Sequence, residues 1–194
     1  MGKSKYLDDV MTLFEKSPVV DFKSIKRIVG NKKDDYAKLL VHNLLKSEKI
    51  FRVTKGHYSK DEDSSLVVFC FSPAYLGLQN ALSFHGLWEQ ETVPIVVTSK
   101  IVREGVRKVF GTNVLLKRAK KWNIFGFEYY LDGNYYLPYS DIEKTFIDMF
   151  FYGLSMSKEV MLEFKRKIDL KKLGRYLKNY DKSFREKVLK VLEN

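Results

Sequence analysis

The chain has 194 residues, 45% of them hydrophobic, enough for one ordinary domain or two small ones with cores of their own. Lysine and arginine outnumber aspartate and glutamate 35 to 24, giving a formal net charge of +11 and a pI near 9.5, which favours a polyanionic partner. The lone cysteine, Cys70, excludes an intrachain disulfide, and the longest uninterrupted apolar run (LVVFCF, 66–71) is far too short to span a bilayer; with no hydrophobic signal segment, a cytoplasmic protein with no membrane partner is expected.

The cationic excess is uneven. Residues 1–60 carry 14 basic and 7 acidic side chains (+7), and residues 61–194 carry 21 and 17 (+4), so the smaller N-terminal part is the more cationic. Within it, Leu7, Val10, Met11 and Phe14 fall at helical spacing and predict a first helix over 5–16, stopped by Ser17 and Pro18. Asp21 is placed to cap a short second helix whose buried side is Phe22, Ile25, Ile28 and Val29, and Gly30 breaks it. A third helix follows. At about 100° per residue, Tyr36, Ala37, Leu40, Val41 and Leu44 share its inner side, and Asp35, Lys38, Leu39, His42 and Lys46 its outer side. Residues 50–59 then alternate apolar and polar around Lys55-Gly56, as a two-stranded hairpin does.

Helix, turn, longer helix and hairpin, in that order, predict a winged helix-turn-helix over residues 1–61, a module that reads double-stranded DNA. On the outer side of the third helix, Lys38 and His42 are one turn apart and can address one stretch of major-groove edge. Leu39 can meet a thymine methyl, and Asn43 can pair with adenine or a phosphate. Lys32 and Lys33 in the preceding turn, Lys46, and the cations Arg52, Lys55 and Lys60 of the wing are the expected backbone contacts. The competing possibility is a solvated helix face, or a winged helix reused to dock protein.

A polar stretch, KDEDSS (60–65), marks a boundary near residue 62, and residues 62–194 are expected to form a second domain. Ser72-Pro73 at one end and Gly86 at the other predict a helix over 73–85, with Tyr75, Leu78, Ala81, Leu82 and His85 on one face. His85 has no His or Cys at a companion spacing and reads as a satisfied helix-end residue, not a metal ligand or general base. TVPIVVTS (92–99) is a buried strand that Pro94 places near an edge or a bend. Strands at 113–118, 124–131 and 134–137, the last two joined by a turn at Asp132-Gly133, complete a small, mainly antiparallel sheet. Arg103, Arg107, Lys108, Lys117, Arg118, Lys120 and Lys121 form a second basic concentration, read as solvated surface or as contacts to flanking DNA. Four helices close the chain: 141–152, with Ile142, Phe146, Met149 and Phe150 on its apolar side, then 157–167, 169–179 and 181–193, the last two capped by Asp169 and Asp181. The fold class expected is α+β.

The second part carries recognisable wording. YLGLQNALSFHGLWE (75–89), VPIVVTS, DIEKTFIDMFFYG (141–153) and IDLKKLGRYLKNY (168–180) come in that order, and within them His85-Gly86-Leu87, Val97-Thr98-Ser99 and Glu143-Lys144 with Asp148. This resembles the AbiEi family, the antitoxin and transcriptional-regulator component of abortive-infection (type IV) toxin-antitoxin systems. The resemblance implies an N-terminal winged helix and a C-terminal antitoxin domain. It further implies a repressor that binds inverted repeats upstream of its own operon, two copies per operator, and that counteracts a nucleotidyltransferase-like toxin without forming a stable complex with it. The centre of the second part, FGFEYYLDGNYYLPY, is more aromatic than the family pattern. A stand-alone regulator without a toxin is the alternative.

An enzyme is the rival class. Metal-dependent nucleases hold Mg²⁺ with clustered carboxylates, and Glu163-x-Lys165 and Asp169-x-Lys171 match that need only as fragments, both on predicted helices. There is no Gly-rich phosphate loop and no Ser/His/Asp arrangement. No catalytic residue, metal or cofactor is therefore expected.

Overall fold

The computed structural model describes residues 6–30 and 34–193; Lys32 and Lys33 lie outside the described residues. The class is α+β, and the chain divides into two compact units, Met1–Cys70 with Lys108–Thr112, and Phe71–Arg107 with Asn113–Asn194. The expected boundary near residue 62 falls inside the first unit, which runs on through the helix Val67–Cys70.

In the first unit, α1 (Leu7–Lys16) leads to the two-residue strand β1 (Val20–Asp21), then α2 (Phe22–Val29) and α3 (Asp34–Lys46). Asp21 accepts the Ser24 N–H at 2.6 Å and so satisfies one of the orphan donors at the start of α2. Partial burial pushes the Asp21 carboxyl up, but the Ser24 backbone and hydroxyl hydrogen bonds outweigh it and hold the group below its usual range. β2 (Phe51–Thr54) and β3 (His57–Ser59) form the hairpin, and β1 joins it in a three-stranded antiparallel sheet ordered β1-β3-β2. Gly56 takes φ 79°, a conformation costly for any side chain with a Cβ, which is why the turn sits at Lys55-Gly56. Its carbonyl accepts the Phe22 N–H at 2.8 Å, tying the hairpin tip to the start of α2. Val10, Phe14, Ile25, Val29, Ala37, Leu40, Val41, Leu44, Ile50 and Tyr58 are buried together as one core. Of the side chains expected to face inward, Ile28 stays half exposed (36%). A 3₁₀ turn (Ser64–Leu66), opened by Asp63, leads into α4 (Val67–Cys70).

A six-stranded sheet frames the second unit, apart from Lys108–Thr112, which belong to the first. Its strands are β4 (Ala74–Leu76), β5 (Ile95–Thr98), β6 (Gly105–Val109), β7 (Thr112–Arg118), β8 (Phe127–Asp132) and β9 (Tyr135–Ser140), in the order β6-β7-β5-β4-β9-β8. The sheet is mixed: β4 is antiparallel to β5 but parallel to β9, and β5 is parallel to β7. The β8–β9 hairpin, turning at Asp132-Gly133, has the local antiparallel pairing that the turn residues announce.

The helix expected over 73–85 is replaced by β4 and the shorter α5 (Gln79–Phe84). Ala74, Tyr75 and Leu76 pair with Thr98, Val97 and Val96, so long-range ladder bonds override the local helical spacing. Pro94 marks no edge: β5 lies inside the sheet, and Pro94 contributes only its carbonyl, which accepts the Leu115 N–H at 3.0 Å. The closing helices are α6 (Ile142–Phe151), α7 (Lys158–Lys167), α8 (Leu170–Leu177) and α9 (Lys182–Glu193). Asp141, Ser157, Asp169 and Asp181 accept backbone N–H bonds at their starts. The core gathers Tyr75, Leu78, Leu82, Val97, Phe146, Ile147, Met149, Phe164, Leu173, Leu177 and Val188. No helix among the described residues is long and apolar enough to cross a membrane.

Candidate nucleic-acid interface

α3 buries Ala37, Leu40, Val41 and Leu44 in the core, which turns Asp35, Lys38, Leu39, His42, Asn43 and Lys46 to solvent. These exposed residues do not form one surface. Lys38 and His42 share a small groove of about 170 Å³ with Arg52 of β2, floored by Phe22, Val41, Leu45 and Tyr58. Two groups from the helix and one from the hairpin are thus gathered by the fold, although Lys38 and Arg52 are fourteen positions apart in sequence. Leu39 and Asn43 line a different, more apolar groove of about 490 Å³ with Leu7, Tyr36, Leu40 and Leu44. Lys46 is exposed in the last turn of α3, Lys55 at the hairpin tip and Lys60 just beyond β3.

Acidic groups temper the cationic face. Asp35 lies 3.4 Å from the Lys38 ammonium, and both are well exposed, an arrangement that contributes little to stability. Asp34 pairs with Lys26 at the start of α3, and that contact holds its carboxyl below the usual range against a small desolvation effect. Beside the hairpin turn, Thr54 Oγ1 and His57 Nδ1 are 3.2 Å apart.

Of the second basic concentration, Arg103, Arg107, Lys120 and Lys121 belong to the other unit and are all exposed. One guanidinium nitrogen of Arg107 donates to the Arg103 carbonyl at 2.9 Å.

The second unit also turns polar chemistry inward. Lys144 and Asp148, one turn apart on α6, are both fully buried and ion-paired. The Lys144 ammonium donates further to Asn123 Oδ1 at 3.0 Å and to the Tyr180 hydroxyl at 3.3 Å, and stands 4.9 Å from the centre of the Phe125 ring. The Tyr75 hydroxyl, from β4, donates to Asp148 Oδ2 at 2.6 Å, and the Tyr180 hydroxyl donates to Asn123 Oδ1. Burial pulls the Lys144 ammonium down and pushes the Asp148 carboxyl up, and each group opposes the shift in the other. Burial, reinforced by the Asp148 charge, raises the Tyr75 hydroxyl well above its ordinary range.

A second cluster surrounds the start of α6. Asp141 accepts from the Tyr176 hydroxyl at 2.8 Å and from Lys172 at 3.1 Å, and Glu143 accepts from the Asp169 N–H at 2.8 Å and lies 3.3 Å from Lys172. Partial burial pulls the Lys172 ammonium down, but the hydrogen bond and charge of Asp141, followed by Glu143, leave it raised. Gly126 lets the strands approach this helix: a Cβ there would stand 2.8 Å from Lys144 Cβ and 2.9 Å from the Tyr176 ring.

His85 is satisfied, its Nε2 lying 2.7 Å from the Ser140 carbonyl and its ring edge-on to Phe84 and Tyr130. Glu163 accepts from Arg166 at 2.8 Å, and Asp169 caps α8. Among the described residues, no three His, Cys, Asp or Glu side chains are gathered to hold a metal ion. The sequence reading named Glu143, Lys144 and Asp148 only through the family resemblance, and missed Tyr75, Asn123 and Tyr180 as their partners. The available signal was a Lys and an Asp four residues apart inside an aromatic helix.

No family model matches the chain, and no curated protein matches it. Among solved structures it is similar to the crystal structure of RV2827C protein from Mycobacterium tuberculosis, with a TM-score of 0.60 and 10% sequence identity over 99% of this chain and 78% of that one. At that identity the likeness shows the fold alone: an α+β arrangement extending over nearly all of this chain.

Proposed function

We propose that the first unit is a winged helix that binds double-stranded DNA, and that the protein is a sequence-specific transcriptional regulator of the AbiEi type. The observation that carries the reading is the convergence of Lys38 and His42 on α3 with Arg52 on the hairpin around one groove, beside the exposed turn cation Lys55. A helix offering two donors one turn apart suits base edges, and the hairpin cations suit the flanking phosphates. The excess of basic over acidic residues in 1–60 supports the same partner. Leu39 and Asn43 open onto the groove beside α1, so base reading rests on Lys38 and His42 first. An operator with inverted repeats engages two copies.

The antitoxin role rests on the ordered motifs of the second unit. Glu143, Lys144 and Asp148 serve its internal polar clusters, which makes them supports of that unit and leaves contact with a nucleotidyltransferase-like toxin to its surface.

The test is quantitative binding to the DNA upstream of the protein's own gene and to unrelated duplex at several salt concentrations. Lys38→Ala and His42→Ala are expected to lose roughly 1–3 kcal/mol of preference for the operator each, with little change on unrelated duplex. Full operator selectivity in the double variant would sink the assignment of the reading face. Co-expression with a nucleotidyltransferase encoded beside the gene tests the antitoxin role, with rescue of growth the expected result.

A further inference from the structure

The protein is strongly basic, yet one groove of its second unit is acidic. It runs between residues 86–90 and α7, encloses about 860 Å³, and carries three carboxylates, Glu89, Glu159 and Glu163, against the single guanidinium of Arg166. Arg166 is spent on Glu163 at 2.8 Å and the Lys167 ammonium on the carbonyls of His85 and Gly86, which leaves Glu89 and Glu159, both exposed, outside any ion pair among the described residues. Beside Gly86, Gln90 and Ser157, the rest of the lining is apolar: Leu87 and Val160 are buried, Trp88 is partly buried, and Leu162 stands 55% exposed. An exposed leucine in an acid-rimmed groove suits an amphipathic cationic surface.

This chain carries such a surface. On α8 and at its C-cap, Lys171, Arg175 and Lys178 recur at helical spacing and are all exposed, and Leu170 beside them is 64% exposed. Gly174 lies between them with open space where a Cβ would be, so the helix presents a low surface flanked by cations. The two patches are neighbours in the chain, since α7 ends at Lys167 and only Ile168 and Asp169 intervene before Leu170.

We propose that a second copy of this chain docks here, the groove beside α7 of one copy receiving the outer face of α8 of the other, and the reverse. Charge complementarity selects the occupant: carboxylates Glu89 and Glu159 meet Lys171 and Arg175, and Leu162 and Leu170 are withdrawn from water at the centre. Complementary patches on consecutive helices satisfy each other twice about a two-fold axis, which closes the assembly at two instead of propagating a chain. The contact goes beyond DNA recognition and involves none of the residues assigned to it.

The test is sedimentation of the full chain without DNA. The native protein is expected to dimerise reversibly and to dissociate as salt is raised, because the charges at the rim are screened. One variant reverses the groove (Glu89→Lys with Glu159→Lys), the other reverses α8 (Lys171→Glu with Arg175→Glu). Each alone is expected to dimerise on the order of 100-fold more weakly, since like charges then face each other. An equimolar mixture is expected to restore a one-to-one dimer, because every contact in it is again between opposite charges, and that recovery also reports that both variants are folded. Should either variant fail to fold, Leu162→Lys and Leu170→Glu form a second pair for the same mixing test. A native protein monomeric at every concentration, variants that still dimerise, or a mixture that stays monomeric would each overturn the proposal. A monomeric native protein whose α8 reversal weakens binding to unrelated duplex would give that face to nucleic acid instead. Failure of operator binding by Lys38→Ala leaves the sedimentation result untouched, so the two readings stand or fall separately.

Discussion

The two units use charge in opposite ways. In the first, Lys38, His42, Lys46, Arg52 and Lys55 stand in solvent, where their mutual energies are small and their effect is on whatever approaches. In the second, Lys144 and Asp148 are withdrawn from water altogether and held by Tyr75, Asn123 and Tyr180. Desolvating two charges costs several kcal/mol each, and only a near-complete set of partners offsets that, so such a cluster specifies how β4, α6 and the segment before α9 must meet. Substitutions in the first unit should therefore alter binding and spare stability, and those in the buried cluster should do the reverse.

The largest break in that contrast is expected at Lys144. Lys144→Met leaves Asp148 buried beside no cation and should cost about 3–5 kcal/mol of unfolding free energy, measured by urea denaturation. The deficit has a predictable pH dependence. Without the ammonium, burial and the Asp141 charge are opposed on Asp148 only by the Tyr75 hydrogen bond, and its folded-state pKa rises further above the unfolded value. A raised carboxyl contributes stability that is present below the unfolded pKa and lost as pH rises through the folded one, so the variant should lag the parent least in acid and most at neutral pH. A variant deficit that did not change between these conditions would mean that Asp148 is already neutral in the parent. Tyr75→Phe, which removes one donor to the same carboxylate, is expected to cost less, roughly 1–3 kcal/mol.

How much of this was legible in the sequence follows the range of the interactions. Asp21, Asp169 and Asp181 announce helix starts because a cap is made within three residues, and all three accept the expected backbone N–H, as Asp141 also does without having been singled out. Lys55-Gly56 and Asp132-Gly133 announce hairpins for the same reason. The segment 73–85 misleads because Tyr75, Leu78, Leu82 and His85 do fit a helical stripe, while the strand partner that captures Tyr75, Val97, lies beyond any local window. β6 was invisible: GVRKV shows little alternation and opens with glycine. On a helical wheel, Lys144 and Asp148 fall opposite the apolar side of α6 and look solvated, but that helix is enclosed along Glu143–Met149, which periodicity alone does not reveal. For the interface, the wheel grouped Leu39 with Lys38 and His42, and the fold divides them between two grooves because α1 packs on one flank of α3 and the hairpin on the other.

The smallest effect, and the sharpest check on the first unit, is at Asp21. Its carboxylate caps α2, whose end leads to the helix carrying Lys38 and His42, so it lies on the boundary between stability and binding. Asp21→Ala should lower unfolding free energy by about 1 kcal/mol, the usual worth of an N-cap. Because the carboxyl is held below its ordinary range, its contribution is present above the unfolded pKa and disappears as pH falls through the folded one. Parent and variant should therefore differ at neutral pH and converge in acid, the same direction as at Lys144 but with a smaller deficit. DNA affinity of the folded variant should stay within about twofold of the parent, since the exposed cations are untouched and α2 still packs through Ile25 and Val29. A large loss of affinity at unchanged stability would show instead that the end of α2 positions the reading helix, and that stability and recognition are coupled in the first unit after all.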